Sequence, residues 1–412
     1  DLVRSRGLGD VYKRQSECYP MFQPNISAFA EQASDEQLPD YEESPLFLEE
    51  TETVFRELAA LDWAFSDDDT RFLTHDLHPY PAKFIPQIPG NLISRLSSRG
   101  ELVVDPFGGS GTTALEAVRM GRRALSIDAN PVATLIGKVK TVRLDRRSAN
   151  ELHVIHGSLR AELQSLPHDP VSLIERCGEY APKIANREKW FPDTSYGELA
   201  LIRYRMHDLE SQAARDIALL ALSRTVLSVS FQDSETRYKS VPRLIPQGEA
   251  IRRFIKEFDA VVKAVVSNES VTRYGIAEFI SADNRDLPHS VAVPNSADLV
   301  ITSPPYGNAT DYHLYHRFRL LWLGFDPVSL GHIEIGSHLR HQREKSGFNS
   351  YLADMLKSLS AIQKLLKPSR YAVFVIGDSV YEGKTYETAH IISENAIKIG
   401  FDASCIIERP IH

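Results

Sequence analysis

The sequence predicts an α/β fold with a doubly wound, mainly parallel sheet and a helical insertion. Strand signals alternate with helical patterns over residues 102–144 and return from about residue 277, as in successive βαβ units. Between these parts, residues 145–270 show helical periodicity with few strand signals. A chain of 412 residues has room for one large domain with an insertion, or for two domains.

The composition is that of a globular protein with a substantial core, because 42% of the residues are hydrophobic and 25% are charged. The absence of a run of about 18 apolar residues excludes a membrane-spanning helix. Three cysteines without paired spacing exclude a disulfide scaffold and a cysteine-based zinc site. They also indicate a reducing compartment, so we expect a cytoplasmic protein.

The net charge of −8 is unevenly distributed along the chain. Residues 16–70 contain 15 acidic residues against the single cation Arg56, whereas the chain from residue 71 onward carries a net charge of +4. A mildly basic body does not exclude a polyanionic partner such as nucleic acid.

The first 15 residues resemble the conceptual translation of a sequencing adapter, and we expect them to be an artefact. They contain neither the apolar region nor the cleavage site of a signal peptide. Residues 16–70 are predicted to be an acidic lead-in with one amphipathic helix over Phe47–Phe65. The predicted domains are then 71–144 and 271–412, which form the two halves of the sheet domain, and the insertion 145–270.

The first predicted βαβ unit contains a glycine-rich turn. A strand at Leu102–Val104 leads into Asp105–Thr113, a helix follows, and a second strand, Arg123–Ile127, ends at Asp128. Glycines permit close approach of a ligand to the backbone, and the following helix N-terminus favours an anionic group. An acid at the end of the second strand can accept hydrogen bonds from a ribose diol.

This turn excludes one nucleotide-binding class and leaves another open. A phosphate-binding loop of the kinase type ends in Gly-Lys-Ser/Thr, which is absent here. A dinucleotide site remains possible on this evidence, although Asp-Pro before the turn is not its usual form.

The second half repeats the alternating pattern. Strands are predicted at 277–280, 298–301 and 371–376, with helices at His316–Leu323 and Tyr351–Leu366. In the insertion, the apolar positions of Ile217–Val229 predict a buried helix.

The strand at Asp298–Ile301 runs into Thr302, Ser303, Pro304, Pro305, Tyr306 and Gly307. Two prolines fix φ and remove N–H donors, so this loop is expected to be rigid. A carbonyl of such a loop can point into a site at the end of the strand.

Together these motifs resemble the S-adenosylmethionine-dependent DNA amino-methyltransferases, which modify cytosine N4 or adenine N6. The resemblance covers roughly residues 78–130 and 281–401, and within it Ser303–Tyr306 is similar to the motif of the cytosine-N4 subgroup. It implies a Rossmann-like methyltransferase sheet with S-adenosylmethionine as the cofactor. The residues it assigns to cofactor binding are His78, Tyr80, Lys83, Asp105, Phe107, Gly108, Gly109, Ser110, Gly111, Thr112, Thr113, Asp128 and Asp283.

The resemblance assigns catalysis to Ser303, Pro304, Pro305 and Tyr306. The Ser303 hydroxyl and the Pro304 carbonyl would accept the amino hydrogens of the target base, and Tyr306 would stack on that base after it is flipped from the duplex. Carbon-5 cytosine methylation is excluded because no cysteine stands next to a proline as that chemistry requires.

The resemblance leaves the substrate partly open. Serine at the first catalytic position favours cytosine N4 in DNA, with adenine N6 and an RNA amino-methyltransferase as alternatives. A catalytically idle DNA-binding remnant is disfavoured by the intact motifs. DNA is the expected partner, and a cognate restriction endonuclease is a further possible one.

Residues 183–256 of the insertion carry 13 basic and 9 acidic residues. Within them, an exposed loop with Arg237, Lys239 and Arg243 is predicted to contact DNA. Structural cover for the sheet is the alternative for this block.

We expect no metal and no membrane partner. The spacing of five histidines fits no ligand set, so they are predicted to be surface residues: His313, His316, His332, His338 and His341. Residues 406–412 are expected to begin a last antiparallel hairpin whose partner strand is missing, which predicts a chain that stops early.

Overall fold

The computed structural model describes residues 46, 49–167, 169–235, 237–272, 274–287, 293–307, 311–337, 347–402 and 405–409. The adapter-like segment and most of the acidic lead-in lie outside the described residues. The described chain divides into two compact units. We call residues 46–143, 267–316 and 327–409 the sheet unit, and residues 144–266 and 317–326 the helical unit.

The sheet unit contains all seven strands of the described chain and the helices between them. In chain order its elements are α1 (Thr51–Ala59), α2 (Gln87–Leu96), β1 (Leu102–Asp105), α3 (Thr112–Arg119), β2 (Arg123–Asp128), α4 (Pro131–Thr141), β3 (Ile276–Ser281), β4 (Ala297–Thr302), α11 (Tyr312–Tyr315), α13 (Pro327–Ile333), α14 (Phe348–Leu365), β5 (Leu366–Phe374), β6 (Ser379–Tyr381), β7 (Lys384–Tyr386) and α15 (Thr388–Ile399).

Five strands of the described chain form a parallel sheet in the order β3-β2-β1-β4-β5. Val103 of β1 pairs with Ala124 on one side and with Leu299 of β4 on the other. The strand order therefore reverses between β1 and β4, and a crevice at their carboxyl ends is where such sheets bind ligands. The predicted doubly wound Rossmann-like fold is confirmed. A separate antiparallel hairpin joins β6 and β7.

One face of the sheet is sealed by α2 and α3. Ile93, Leu96 and Val118 are buried against Val103 and Leu299 in a single apolar cluster. Burial of such side chains stabilises the fold by about 1.5–3 kcal/mol each. This packing fixes the ends of β1 and β4, from which the two motif loops emerge.

The helical unit is built from two separate stretches of chain. Its elements are α5 (Arg146–Gln164), α6 (Pro170–Cys177), α7 (Arg187–Trp190), α8 (Asp193–Met206), α9 (Gln212–Val226), α10 (Glu249–Thr272, up to residue 266) and α12 (Arg317–Leu323). The predicted helical insertion is therefore present, but α12 from the second half of the chain completes it.

Helix α12 is anchored in the helical unit by aromatic and polar contacts. Trp322 is buried, with its ring centroid 5.9 Å from that of Phe191. Arg319 donates to the Ser223 carbonyl over 3.1 Å and pairs with Glu235. Because these partners lie about 100 residues earlier, local sequence patterns do not predict this assembly.

Several predicted boundaries differ from the observed ones. The helix expected over residues 47–65 is observed only at Thr51–Ala59, and β5 begins at Leu366, five residues before its predicted start. Cys405–Arg409 forms no strand among the described residues; instead, Arg409 Nε donates to the Trp63 carbonyl over 2.7 Å. In the described chain, no helix is long and apolar enough to cross a membrane.

Candidate active site

A cavity lies at the carboxyl ends of β1, β2, β3 and β4, within the sheet unit. It joins the glycine-rich loop after β1 to the proline-rich loop after β4. Its lining comprises Tyr80, Ala82, Lys83, Phe84, Asp105, Pro106, Phe107, Gly108, Gly109, Ser110, Thr112, Asp128, Ala129, Asn130, Ala282, Asp283, Asn284, Ser303, Pro304, Pro305, Tyr306, Tyr312, Leu330, Ile333, Glu334 and Ile335. All four predicted catalytic residues therefore share one cavity with ten of the thirteen predicted cofactor residues.

The glycine-rich loop is held by a close backbone approach. Gly111, the residue before α3, has φ +78°, and a Cβ there would lie 2.7 Å from Gly137 Cα. Gly109 also has a positive φ, and a Cβ there would contact the Tyr80 ring at 3.5 Å. At these two glycines the backbone therefore passes close to α4 and to the Tyr80 ring.

Asp128 closes the loop from the neighbouring strand. Its Oδ2 accepts from the Gly109 N–H and its Oδ1 from the Asn130 N–H, each over 2.8 Å. Burial raises the pKa of Asp128 to about 6, against the effect of these two hydrogen bonds. Above that pH the carboxylate is ionised and retains lone pairs for further donors, such as a ribose diol.

Asp105 links the ends of the two central strands. This buried carboxylate accepts from the Thr302 hydroxyl over 2.6 Å and from the Phe107 N–H over 3.2 Å. Burial raises its pKa to about 6, although hydrogen bonds, including that of Thr302, oppose the shift. Asp105 therefore ties the glycine-rich loop to the residue that precedes Ser303.

The segment before α2 supplies one wall of the cavity. The Tyr80 ring stacks on Tyr312 and on His316, with centroid distances of 5.8 and 5.3 Å. Lys83 lines the cavity while its Nζ donates to Asp76 over 3.0 Å. The segment therefore lies beside the glycine-rich loop.

Three predicted cofactor residues, His78, Gly111 and Thr113, are not among the described residues that line the cavity. His78 is fully buried, and its Nδ1 lies 2.6 Å from the Pro79 carbonyl oxygen. Gly111 directly precedes α3 and Thr113 lies in its first turn, so both support the loop. Thr113 is buried, and Gly111 faces the backbone of α4, so neither residue faces the cavity.

Asp283 lies two residues after the end of β3 and pairs with the nearby Arg285. Both of its oxygens accept from the Arg285 guanidinium, with a shortest distance of 2.6 Å, and Arg285 also pairs with Asp354 at 2.8 Å. Next to it, Asn284 donates to the Pro106 carbonyl over 2.8 Å. Arg285 and Asn284 carry no motif of their own, so sequence reasoning did not identify them.

The proline-rich loop is fixed by three hydrogen bonds from other elements. The Ser303 hydroxyl donates to the Val375 carbonyl over 3.2 Å, and the Tyr351 hydroxyl donates to the Pro305 carbonyl over 3.0 Å. The Gly307 N–H donates to Ser379 Oγ over 3.3 Å. Since the Ser303 hydroxyl uses its hydrogen internally, its oxygen can accept hydrogen bonds from a ligand in the cavity.

The far wall contains residues that sequence reasoning missed. The Glu334 carboxylate is buried and accepts from the Tyr312 N–H and from His313 Nδ1, both over 2.5 Å. Burial raises the pKa of Glu334, with His313 opposing the shift. Ligand atoms of Asp311, His313 and Glu334 lie within 4.8 Å of one another. Only tertiary contacts bring Glu334 to this position.

The expectation of surface histidines is wrong for two of the five. His316 is fully buried beneath the stacked Tyr80, and the His313 side chain is 14% exposed and paired with Glu334. Both are drawn inward because the aromatic segment after the proline-rich loop forms the cavity wall. His332 is exposed as predicted, and His338 and His341 lie outside the described residues.

The three predicted DNA-contacting residues lie in the helical unit and differ in environment. Arg237 and Lys239 are exposed, and Arg237 has only a 3.4 Å pair with Asp233 among its described ion pairs. Arg243, by contrast, donates to the carbonyls of Leu227, Ser228 and Ser230. It caps the end of α9 and its 3-10 extension, a role that charge counting does not reveal.

The sequence matches the model of one protein family, described as DNA methylase and covering both N6 and N4 amino-methyltransferases, over residues 12–138. The matched region includes the glycine-rich loop and Asp128. Over this region the chain is similar to the DNA amino-methyltransferases. No solved structure matches this methyltransferase.

Curated relatives extend the similarity over most of this methyltransferase. The type II methyltransferase M.MvaI of Kocuria varians is 25% identical over 382 residues, which cover 80% of this chain and 82% of the relative. M.MjaII of Methanocaldococcus jannaschii is 23% identical over 405 residues, which cover 77% of this chain and 75% of that protein. M.BsoBI of Geobacillus stearothermophilus is 23% identical and covers 69% of this chain and 58% of that protein.

The cofactor of this methyltransferase is S-adenosylmethionine, and the cavity fits it. Backbone of the glycine-rich loop, the Asp128 carboxylate and the aromatic Tyr80 and Phe107 are available for its charged, ribose and apolar parts. The cofactor supplies an activated methyl group. The protein therefore has to bind the cofactor, orient it towards the substrate and exclude water from the site.

We expect Asp128→Asn to weaken binding of S-adenosylhomocysteine by about 1–3 kcal/mol, the scale of hydrogen bonds to a charged group. Since the pKa of Asp128 is about 6, wild-type affinity should also fall as the pH drops below 6 and the carboxyl becomes protonated. Calorimetry between pH 5 and 7 measures both effects. Asp286→Asn, at an exposed position outside the cavity, is the matched control. Wild-type affinity in Asp128→Asn would remove this residue from the site.

Proposed function

We propose that this methyltransferase transfers a methyl group from S-adenosylmethionine to the exocyclic N4 of cytosine in DNA, as the modifying enzyme of a restriction-modification system. The observation that carries the proposal is that Ser303 and Pro304 line the same cavity as Asp128 and the glycine-rich loop. The type II relatives and the DNA methylase family favour DNA over RNA as the substrate.

The protein's contribution to the chemistry is the placement of hydrogen-bond acceptors. The lone pair of an exocyclic amino nitrogen is delocalised into the base. Acceptors on both of its N–H bonds, the Ser303 hydroxyl oxygen and the Pro304 carbonyl, favour a tetrahedral nitrogen whose lone pair can attack the methyl group. Fixed acceptors lower the barrier because they need no reorganisation during the reaction.

The rigidity of the proline-rich loop supports this role. Its hydrogen-bond partners come from three elements. Val375 directly follows β5, Tyr351 lies in α14 and Ser379 begins β6. The Tyr306 ring is half-buried, close to Gly377, where a Cβ would lie 3.4 Å from it. A ring held in this way offers a stacking surface for a flipped base at little entropic cost.

The choice of cytosine rests on the first residue of the loop. A serine hydroxyl can accept from the amino group, and when it releases the Val375 carbonyl its hydrogen can be donated to the cytosine ring N3 instead. Mass spectrometry of nucleosides from plasmid DNA treated with the enzyme decides the target atom, and we expect N4-methylcytosine. N6-methyladenine as the dominant product would overturn the cytosine assignment and leave the cofactor and fold unaffected.

We further propose that exposed cations of the helical unit contact DNA phosphates. Replacing both Arg237 and Lys239 by glutamine should reduce the slope of log affinity against log salt by about 2 units, because each phosphate contact contributes about 0.9. Binding to a DNA duplex is measured across salt concentrations. The matched control replaces Arg252 and Arg253 of α10 by glutamine. This variant loses the same charge and should leave the slope unaltered. An unaltered slope in the first variant would instead favour structural cover.

A further inference from the structure

Lys140 lies beneath the glycine-rich loop with its ammonium group shielded from solvent. Only 1% of the residue is exposed, and its Nζ donates to Ser110 Oγ over 3.3 Å. Ser110 belongs to the glycine-rich loop and lines the cavity. Desolvation makes a buried ammonium costly, so a lysine at this position indicates a role beyond packing.

Among the described charged groups around Lys140, no carboxylate is dedicated to its charge. From the segment before α2, Lys83 opposes the charge and Asp76 favours it, but these two pair with each other at 3.0 Å. His75 of the same segment lies 2.9 Å from Glu116 of α3, and Glu116 also pairs with Arg119 at 2.7 Å. The described partner of the Lys140 ammonium is thus a hydroxyl in the loop.

The backbone of Lys140 is equally well fixed. Its carbonyl accepts from the Thr74 hydroxyl over 3.1 Å and from the Asn268 amide over 2.8 Å. Both of these partners are buried. The end of α4 is therefore held in place, and the side chain reaches the loop from a rigid support.

We propose that Lys140 is a positioning residue of the cofactor site: its ammonium holds Ser110 in the glycine-rich loop and supplies a positive charge that favours a carboxylate-bearing ligand. The inference rests on the proposed methyl transfer only for its choice of ligand. S-Adenosylmethionine and its product S-adenosylhomocysteine both carry such a carboxylate.

Cofactor binding should then be linked to proton uptake. Burial, and after it Lys83, lower the pKa of Lys140 to about 7, while Asp76 opposes the shift. A bound anion stabilises the protonated form, so affinity should be full below pH 7 and decline as the pH rises above it. Asp105 and Asp128, with pKa values of about 6, act on the acidic side. Ionisation of Asp128 strengthens binding as the pH rises, so a decline in affinity between pH 6.5 and 8.5 has the opposite sign and reports on Lys140.

The first measurement uses the wild-type chain and S-adenosylhomocysteine, whose own amine stays protonated through most of this range. Calorimetry at pH 6.5, 7.5 and 8.5 should show binding that weakens by about three- to tenfold across the range. At pH 7.5, the binding enthalpy in buffers of different ionisation enthalpy should reveal proton uptake. Constant affinity together with no proton uptake would overturn the proposal, whether or not any variant folds.

Two variants of the same helix complete the test. Lys140→Met keeps the approximate length of the side chain without its charge, and we expect weaker binding at pH 6.5 and a flat pH profile. Lys138→Met, at an exposed position two residues earlier, should keep the wild-type affinity and profile. A wild-type profile in Lys140→Met would contradict the proposal. Failure of the wild-type chain to bind S-adenosylhomocysteine at any pH would count against the proposed function instead.

Discussion

Ser303→Ala should lower the rate of methyl transfer by about 10²–10³-fold while leaving cofactor affinity unchanged. The variant removes one of the two proposed acceptors for the amino hydrogens of the target base, and a single preorganised hydrogen-bonding group at a reacting centre is worth that much. Single-turnover transfer of labelled methyl groups to DNA measures the rate, and calorimetry with S-adenosylhomocysteine measures the affinity.

Ser303→Ala also removes the hydrogen bond to the Val375 carbonyl, so the stability of the variant has to be considered. Loss of this hydrogen bond should cost only about 1 kcal/mol of stability, so Ser303→Ala is expected to fold. Ser303→Asn, which restores an acceptor, should recover part of the rate. Equal rates in wild type and Ser303→Ala would exclude the hydroxyl from catalysis.

Gly111→Ala should destabilise the sheet unit by about 2–5 kcal/mol. Its φ of +78° costs an L-residue about 1–2 kcal/mol, and the added Cβ would lie 2.7 Å from Gly137 Cα, which adds about 1–3 kcal/mol for overpacking. Gly137 Cα is a backbone atom of α4, so it cannot rotate away as a side chain could. Urea denaturation followed by circular dichroism measures the loss.

Gly100→Ala is the matched control for this substitution. Gly100 has φ +82°, but a Cβ there would meet nothing within 4 Å. It should therefore show the backbone cost of about 1–2 kcal/mol without the overpacking. If both variants lose the same stability, the close approach of α3 and α4 contributes nothing.

The parts of the site that the sequence predicts are those with local causes. The glycine-rich loop, Asp128 and the Ser303–Tyr306 loop each follow an apolar strand directly, so their place at the carboxyl edge of the sheet follows from chain order alone. The same logic places Asp283 at the end of β3. These predictions needed no knowledge of long-range contacts.

The parts that were missed depend on residues far apart in the chain. Glu334 reaches the cavity through α13, and Arg285 contacts Asp354 about 70 residues later. From the sequence, Arg243 was predicted to contact DNA, but in the structure its guanidinium donates to three backbone carbonyls. Periodicity reports which face of an element is apolar, but not which distant element covers it.

Under the proposed role of the helical unit in DNA contact, its two-part construction constrains how the enzyme can change its target sequence. Exchange of residues 144–266 by a single recombination event would separate Phe191 and Trp190 from Phe318 and Trp322, which lie in residues 317–326. The incoming segment would then meet an α12 shaped for another partner. Under that proposal, a new specificity is inherited either by joint transfer of both segments, together with the proposed catalytic residues between them, or by gradual substitution within the loop that carries Arg237 and Lys239.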